Sequence, residues 1–253
     1  MRFAVLCLFS ICFVIILLPE LMPLDPIQTN SDVSLVAPSG DYWFGTDLLG
    51  RDLFSRVIYG GRRTLGIALS ATLLAILLGG VFGLLMGYYR EADWIFFPIF
   101  NALLAIPTLL IAMVILSVFG NNFWQLTLAL GISQVANYTF VIRNATRALS
   151  INLFIQSANA LGATRFHILR HHILPNIRNI SLSYAGVLFS YSILNESTLS
   201  FLGLGGEPGV PDWGIILNEG RIVLGTSPWV SLIPGILIAV TVYCVNTIVD
   251  KIA

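Results

Sequence analysis

Long apolar stretches alternate with shorter polar ones along the whole chain. A helix needs about 20 mainly apolar residues to cross the hydrocarbon core of a bilayer. Six stretches approach that length, and they predict an all-α integral membrane protein with six transmembrane helices in one domain, residues 1–253. The predicted spans run approximately over residues 3–19, 65–87, 95–118, 123–142, 179–200 and 229–249.

The first apolar stretch has two interpretations. It follows Met1-Arg2 and reaches Leu18, which also suits a secretory signal peptide. Such a peptide ends in a cleavage site of small residues, and no such site precedes Pro19-Glu20. We therefore expect a first helix that is retained.

Composition favours a chain that is covered partly by lipid. Hydrophobic residues make up 57% of the chain and charged residues 10%, with a mean hydropathy of +0.86. A soluble domain carries about 25% charged residues, so this chain has too few to coat a water-facing surface. Cys7, Cys12 and Cys244 lie inside apolar runs, which favours buried thiols over a disulfide framework.

The charges balance overall but are unevenly placed. From Arg143 to Arg178 the chain has five arginines and three histidines and no acidic residue. The positive-inside rule places this region in the cytoplasm. Six spans then put both termini in the cytoplasm and residues 20–64, 119–122 and 201–228 outside. Arginines in the first outer segment oppose this orientation, but the five-arginine region is the stronger signal.

The outer segment, residues 20–64, is too long for a tight turn. Its aromatic run at residues 42–44 suits the membrane interface. Apolar residues at helical spacing predict a short amphipathic helix over residues 51–59, lying along the membrane surface. Thr46 or Asp47 is expected to cap it.

The cytoplasmic loop, residues 150–177, has a helix–turn–helix pattern. Residues 152–161 favour a helix, and Gly162 permits a sharp turn because glycine adopts backbone angles that other residues avoid. Residues 164–174 favour a second helix, whose first residue is a threonine suited to an N-cap. Pro175 ends that helix or begins the next span. The loop is thus predicted to be a rigid, basic projection.

The histidines of the loop allow two interpretations. His167 and His171 are four residues apart, a spacing that can bind zinc. No glutamate follows the first histidine and no third ligand is evident, so contact with a partner or with lipid headgroups is favoured.

The loop resembles the EAA loop of ABC importer permeases, which forms coupling helices that fit a cleft of the ATPase subunit. The resemblance rests on Ala-Leu-Gly-Ala at residues 160–163 and Ile-Leu-Pro-Asn at residues 173–176. The family's Glu-Ala-Ala-Arg start reads Gln-Ser-Ala-Asn at residues 156–159, so its glutamate and arginine are absent. The resemblance implies that the ATPase-coupling residues are Gln156, Ser157, Ala158, Ala160, Leu161, Gly162, Ala163, Thr164, Ile173, Leu174 and Pro175.

Two further blocks narrow the resemblance to the C-type subunits of dipeptide, oligopeptide and nickel permeases. The first, Phe44 to Leu65, is similar to their Gly-Thr-Asp-x-x-Gly-Arg-Asp segment. The second, Asn195 to Gly205, is similar to their Glu-x-x-Leu-Ser-Phe-Leu-Gly-Leu-Gly segment, and Asp212-Trp213-Gly214 follows it. The first block supplies an outer motif of Gly45, Thr46, Asp47, Gly50, Arg51 and Asp52.

This resemblance implies a transmembrane subunit of an ATP-driven importer in a bacterial cytoplasmic membrane, with a type I ABC importer permease fold. The implied partners are a second, homologous permease, two ATP-binding subunits, an extracytoplasmic solute-binding protein and membrane lipid, with no nucleic acid. The implied cargo is a short peptide, or nickel or another metal in a chelate complex. The chain itself is expected to bind no cofactor, since the ATPase subunits would use ATP and magnesium.

The sequence agrees that ATP is handled by another chain. A P-loop needs GxxxxGK followed by serine or threonine. The only lysine, Lys251, follows Asp250, so no such loop exists. The glycines near residue 205 also do not form a nucleotide-binding GxGxxG fingerprint.

Three residues are candidates for the transport pathway or its gate. Glu196 is an acidic residue within a predicted span, and an ionisable residue inside the membrane suggests a functional role. The alternative is that Glu196 lies at the outer boundary of the span and hydrogen-bonds the following turn. Asn195 lies beside it. Pro107, like Pro98, is expected to kink the third span because proline lacks an amide hydrogen.

Arg143 and Arg147 lie near the inner end of the fourth predicted span. Arginines in this position usually act as cytoplasmic anchors, which we favour over a place at the inner mouth of a pathway.

Two other classes of protein are rivals. An ion-coupled secondary transporter often carries acids or broken helices near the midplane, but here only Glu196 qualifies and no internal repeat is found. An intramembrane hydrolase needs a base near its nucleophile, yet all three histidines lie in the cytoplasmic loop.

Overall fold

The computed structural model describes residues 2–21, 25–207 and 209–251. In these residues regular structure is helical, apart from an isolated bridge between Thr46 and Asp52, so the all-α prediction is confirmed there. The helices are α1 (Arg2–Leu21), α2 (Leu53–Tyr88), α3 (Arg90–Leu104), α4 (Thr108–Phe119), α5 (Phe123–Ser150), α6 (Leu153–Ala160), α7 (Arg165–Ile168), α8 (Leu174–Phe201), α9 (Trp213–Gly220) and α10 (Trp229–Val249), with a π-helical turn at Leu169–Ile173 and 3₁₀ turns at Ser31–Val33 and Arg221–Val223.

Helix α2 is longer than the sequence pattern predicts. It has 36 residues, or roughly 54 Å at 1.5 Å per residue. The prediction of a separate surface helix over residues 51–59 is wrong, because that segment belongs to the start of α2. Asp52 caps the helix by accepting a hydrogen bond of 2.8 Å from the Ser55 amide, so Thr46 and Asp47 are not its caps.

Close packing explains why Gly60 and Gly61 do not interrupt α2. A Cβ atom added to Gly60 would lie 3.1 Å from the Cα atom of Asp212. One added to Gly61 would lie 2.8 Å from Cζ2 of Trp213. These glycines therefore let α9 approach the α2 backbone, and their role is packing rather than a turn.

The third predicted span, residues 95–118, is not one straight helix. It is divided between α3 and α4, which meet at an angle of 89°. Pro107 immediately precedes α4, where its missing amide hydrogen is tolerated, so the break lies where the sequence suggested a kink. Pro98, by contrast, lies inside α3 without a break.

By length and apolar composition, α2 and α10 suit membrane spans among the described residues, and the bent α3–α4 pair would add a third. Helices α5 and α8 have 28 residues each but carry more polar side chains. Polar positions are expected where a helix faces protein or a cavity. The count of six spans and the orientation of the termini stay predictions.

A stripe of glycines joins α2 to α5. Added Cβ atoms on Gly79, Gly83 and Gly87 would each lie within 2.9 Å of an α5 atom, for example 2.7 Å from Cβ of Ile142 at Gly83. Small residues at four-residue spacing let two helix backbones meet at van der Waals distance. These three glycines therefore allow the close packing of α2 on α5.

On the other side of α2, Trp213 fills the junction of several helices. It is fully buried and packs with Ile15, Ile58, Ile193 and Ile238, which come from α1, α2, α8 and α10. Its indole nitrogen donates a hydrogen bond of 3.0 Å to the Val57 carbonyl. The indole thereby links α9 to α2.

We expect Gly83→Leu to lower the free energy of unfolding by about 1–3 kcal/mol, because an overpacked interface must shift or strain. Thermal unfolding of the purified chain in detergent measures the effect. Gly80→Ala is the matched control, since its Cβ would lie 3.7 Å from Cε1 of Tyr138, an ordinary contact. Equal stability of the two variants would contradict close packing at this stripe.

Candidate functional site

Residues 150–177, the predicted cytoplasmic loop, fold nearly as their sequence predicts. Helix α6 ends before Gly162, whose φ of +84° lies in the left-handed region that favours glycine. Thr164 caps α7, since its hydroxyl accepts a hydrogen bond of 3.3 Å from the His167 amide. The second predicted helix, residues 164–174, differs: it consists of α7 and a π-helical turn that leads directly into α8. Pro175 lies in the first turn of α8, where it needs no amide partner.

Three isoleucines hold the loop against the membrane helices. Ile155, Ile168 and Ile173 are fully buried and pack in one cluster with Tyr138 and Ile142 of α5. Burial of each side chain stabilises the fold by about 1.5–3 kcal/mol. The loop is therefore anchored to α5 and α8 and is not a freely moving hairpin.

The tip of the loop is apolar and exposed. Leu161 is 88% exposed and Phe166 is 69% exposed, on either side of Gly162. Clustered exposed apolar side chains are typical of protein–protein contact sites. The sequence pattern did not single out Phe166, because its exposure is known only from the fold.

The other predicted coupling residues divide into two groups. Ile173 is buried, and Ala158 and Ala163 are partly buried against the anchoring cluster. The exposed group presents its side chains to the surroundings, although the Gln156 amide also donates a hydrogen bond of 3.0 Å to the Ile151 carbonyl. That group comprises Gln156, Ser157, Ala160, Leu161, Gly162, Thr164, Leu174 and Pro175.

The histidines lie close together on the loop. The rings of His167 and His171 stack with centroids 4.4 Å apart, and His172 lies 5.7 Å from His167. The four-residue spacing thus does place two rings on one face. Among the described residues, no group of three His, Cys, Asp or Glu side chains is arranged to hold a metal ion.

The loop also touches the end of α2. The guanidinium of Arg165 lies over the Tyr89 ring, 5.5 Å from its centroid. A polar cleft of about 400 Å³ lies between the loop and the α2–α3 junction, lined by Tyr88, Tyr89, Arg90, Glu91, Ser150, Asn159 and Arg165.

Arg143 is more than a membrane anchor. It is 9% exposed and forms two hydrogen bonds to Asp93 of α3, of 2.5 and 2.7 Å. It also lies over the Phe97 ring at 4.8 Å, while Arg147 reaches the same carboxylate at 3.1 Å. These contacts tie α5 to α3 near the cytoplasmic loop. The sequence did not reveal the pairing, because Asp93 is fifty residues away.

The outer motif forms a compact ionic network. Asp47 is 1% exposed, and its carboxylate accepts hydrogen bonds from Arg51 and Arg56, at 2.6 and 2.5 Å. Both arginines also pair with Glu219 of α9. The family resemblance had identified Asp47 and Arg51 of this network, whereas Arg56 and Glu219 are found only in the structure.

Backbone geometry requires the two glycines of the motif. Gly45 and Gly50 have φ of +78° and +68°. A Cβ atom on Gly50 would lie 1.7 Å from the Asn30 carbonyl oxygen. Thr46 is fully buried and its hydroxyl accepts a hydrogen bond of 2.8 Å from the Val36 amide. Together with the Asp52 cap, these residues fold the outer segment onto α2.

Glu196 lies close to the start of α9, the helix that carries Glu219. It is fully buried in α8, where the Ser197 hydroxyl donates a hydrogen bond of 3.3 Å to its carboxylate. Nearby, Asp212 caps α9 and accepts a hydrogen bond of 3.0 Å from the Ser200 hydroxyl. The Trp213 amide donates to the Thr64 hydroxyl at 3.2 Å. The end of the first sequence block, at Thr64, thus meets the second block and the Asp-Trp-Gly residues that follow it.

Asn195 lies on a different face of α8 and lines a polar cavity of about 300 Å³. Thr108, the residue after Pro107, lines the same cavity from α4. Of the three predicted pathway residues, Asn195 therefore lies in the described lining, whereas Pro107 and Glu196 do not. Their place in a pathway stays a prediction. The described lining residues are Thr108, Gln134, Asn137, Tyr184, Leu188, Tyr191 and Asn195.

Replacing Asp93 with asparagine should destabilise the chain by about 1–3 kcal/mol at pH 7, through loss of charged hydrogen bonds. Hydrogen bonds from Arg143 hold the pKa of Asp93 below its ordinary value. The bridge therefore stabilises the fold fully above the unfolded pKa of about 3.9 and loses its effect as the pH falls through the folded pKa.

Thermal unfolding of wild type and Asp93→Asn should thus differ at pH 7, and the difference should shrink as the pH falls below about 3.9, the unfolded pKa. Glu91→Gln, at an exposed position on the same helix, is the matched control and should differ little from wild type over the same range of pH. A stability gap for Asp93→Asn that stays constant down to pH 3 would contradict the bridge.

Comparison with known proteins places this geometry in a family. Residues 54–253 match the family described as binding-protein-dependent transport system inner membrane component. The dipeptide transport system permease protein DppC of Alkalihalophilus pseudofirmus is 35% identical, with 95% of this chain and 80% of that protein covered. The glutathione transport system permease protein GsiD of Pectobacterium atrosepticum is also 35% identical, with 84% and 71% covered. The oligopeptide transport system permease protein OppC of Haemophilus influenzae is 30% identical, with 98% and 81% covered.

Solved structures support the same fold. An inward-facing structure of the MetNI methionine ABC transporter aligns with a TM-score of 0.63 at 17% identity, covering 78% of this chain and 94% of that one. An amino acid ABC transporter crystallised with histidines aligns with a TM-score of 0.62 at 19% identity, covering 78% and 92%. The chain belongs to the family of inner membrane components of binding-protein-dependent transport systems.

Proposed function

We propose that this chain is one of two permease subunits of an ABC importer for short peptides. The observation that carries the proposal is the cytoplasmic loop, with its exposed apolar tip at Leu161 and Phe166 and its three buried isoleucine anchors. A tip of this kind suits insertion into a partner, and the anchors suit transfer of the partner's motion to α5 and α8. In this proposal two separate ATP-binding subunits hydrolyse ATP, with magnesium, and the chain itself is not an enzyme.

The topology, the partners and the transport cycle that we propose follow from that role. The chain crosses the bacterial cytoplasmic membrane six times, with both termini in the cytoplasm. A second, homologous permease completes the pathway, and a solute-binding protein delivers cargo to the outer face formed by residues 25–52 and 202–228. ATP-driven closure of the two ATPases brings the loops of both permeases together and changes which side of the pathway is open. A ligand or partner shifts such an equilibrium only through its differential affinity for the two states.

The cargo is proposed from the names of the relatives, which are those of transport systems for dipeptides, glutathione and oligopeptides. We therefore propose a short peptide or a peptide-like thiol such as glutathione. Nickel or another chelated metal, which the sequence resemblance also implied, stays an untested prediction. The ion-coupled secondary transporter is not favoured by the loop or by the family.

Leu161→Asp should abolish co-purification of the ATPase subunits and ATP-dependent uptake, because a charged tip cannot be buried in an apolar contact without a large cost. Its side chain packs little in the chain itself, so folding should persist. The measurement is pull-down from native membranes through a tag on this chain, together with uptake into proteoliposomes.

Leu48→Asp is the matched control, because Leu48 is an exposed leucine of the outer segment. It should leave ATPase co-purification unchanged. Normal ATPase binding and uptake by Leu161→Asp, or uptake that persists without ATP in an ion gradient, would refute the proposal.

A further inference from the structure

Building on the proposed function, we infer that the cavity between α4, α5 and α8 binds the peptide backbone of the cargo, with Oε1 of Gln134 accepting a backbone N–H. The chemical class recognised is the uncharged secondary amide, which every peptide carries. The site is not expected to recognise the charged termini or side chains of the cargo peptide.

Gln134 is built into the wall of the cavity. It is 2% exposed, and its amide nitrogen donates to the Leu130 carbonyl at 3.2 Å and to the Ser192 hydroxyl at 2.9 Å. Both donor hydrogens are thus used. Its Oε1 atom is buried and has no hydrogen-bond partner within the described residues.

A chain of hydroxyls fixes which end of the amide carries the oxygen. The Thr72 hydroxyl donates to the Ala68 carbonyl at 2.7 Å, and it lies 3.2 Å from the Ser192 hydroxyl. Ser192 therefore donates to Thr72 and can only accept from Gln134. The Leu130 carbonyl is also solely an acceptor, so a flipped amide would lose both bonds. The unpaired atom is thus an acceptor, and it requires a donor from a ligand or from water.

The other polar side chains of the lining can pair with both the N–H donor and the C=O acceptor of a peptide group. Asn137 lies one turn further along α5, and Asn195 faces the cavity from α8. Each of these side chains can donate and accept, as a peptide group does. The hydroxyls of Tyr184 and Tyr191 supply further donors and acceptors. These groups form a ring of neutral hydrogen-bonding partners.

Charge is absent from this wall. None of the described residues that line the cavity is Asp, Glu, Lys, Arg or His. A charged cargo group placed here would lose hydration without gaining a counter-charge, which is unfavourable. The volume of about 300 Å³ is at the lower end for small-molecule sites, and it suits a short peptide segment. Recognition of charged ends therefore falls to surfaces other than this cavity.

The test uses the assembled transporter, purified from its host and reconstituted with its binding protein. The probe pair is a dipeptide and its analogue N-methylated at the peptide nitrogen, which lacks the donor. Maximal uptake rate at saturating loaded binding protein is the readout, with ATP hydrolysis measured in parallel. Under these conditions the affinity of the binding protein for either cargo no longer sets the rate.

For wild type, N-methylation should lower the maximal uptake rate by about three- to tenfold, the effect of one lost hydrogen bond. Gln134→Leu should lower uptake of the unmodified dipeptide by a similar factor and should then be insensitive to N-methylation. Non-additivity of this kind is the signature of a direct contact.

Gln125→Leu is the matched control. Gln125 also has a buried Oε1 without a described partner, but it does not line the cavity, so this variant should retain uptake and the N-methylation effect. Asn137→Leu is a second variant should Gln134→Leu not assemble, and it too should lower uptake.

Equal N-methylation effects in wild type and in the cavity variants would overturn the inference, as would equal losses in the Gln134 and Gln125 variants. Absence of any ATP-dependent peptide uptake by wild type would instead refute the proposed function itself. The two failures are therefore distinguishable.

Discussion

The burial of three isoleucines beneath the cytoplasmic loop is the contact on which the proposed mechanism depends. Ile155, Ile168 and Ile173 pack against Tyr138 and Ile142, so the loop is continuous with the core of the membrane helices. A loop connected to the helices only by flexible chain could be displaced by a partner without moving α5 or α8. In the proposed mechanism, this dense packing passes a force at the tip to α5 and α8.

The same helices carry that displacement across the molecule. Gly79, Gly83 and Gly87 hold α2 against α5 at contact distance, and the Asp93–Arg143 bridge ties α3 to α5. At the far end, Trp213 and the Asp47 network attach the outer segments to α2. The polar cavity lies between these two ends, on α4, α5 and α8, where motion of the helices would change its width.

The sequence predicts features that local chemistry determines. The apolar stretches become helices because their length and composition leave few alternatives, and residues 229–249 were predicted with their observed bounds. Gly162 turns the loop and Thr164 caps α7 because each acts on its own neighbouring backbone. These are short-range effects, so a single sequence suffices to predict them.

The features that sequence missed depend on distant contacts. The packing of α9 on Gly60 and Gly61, for example, joins residues about 150 positions apart in the chain. The pairing of Asp93 with Arg143, and the exposure of both Leu161 and Phe166, require the fold. The cavity around Gln134 likewise joins three helices. The resemblance located the motif residues, but only the structure shows that most of the outer motif holds the fold together.

The most direct test of the mechanism is the distance between the cytoplasmic loop and the far end of α8 in the working transporter. Spin labels at Ser157→Cys and Thr198→Cys, both exposed, would report it by pulsed electron resonance after replacement of Cys7, Cys12 and Cys244. The account predicts the same distance distribution with and without ATP, since the loop and α8 move as one body. A distribution that shifts or broadens on ATP binding would show that the loop moves independently, and it would contradict the account.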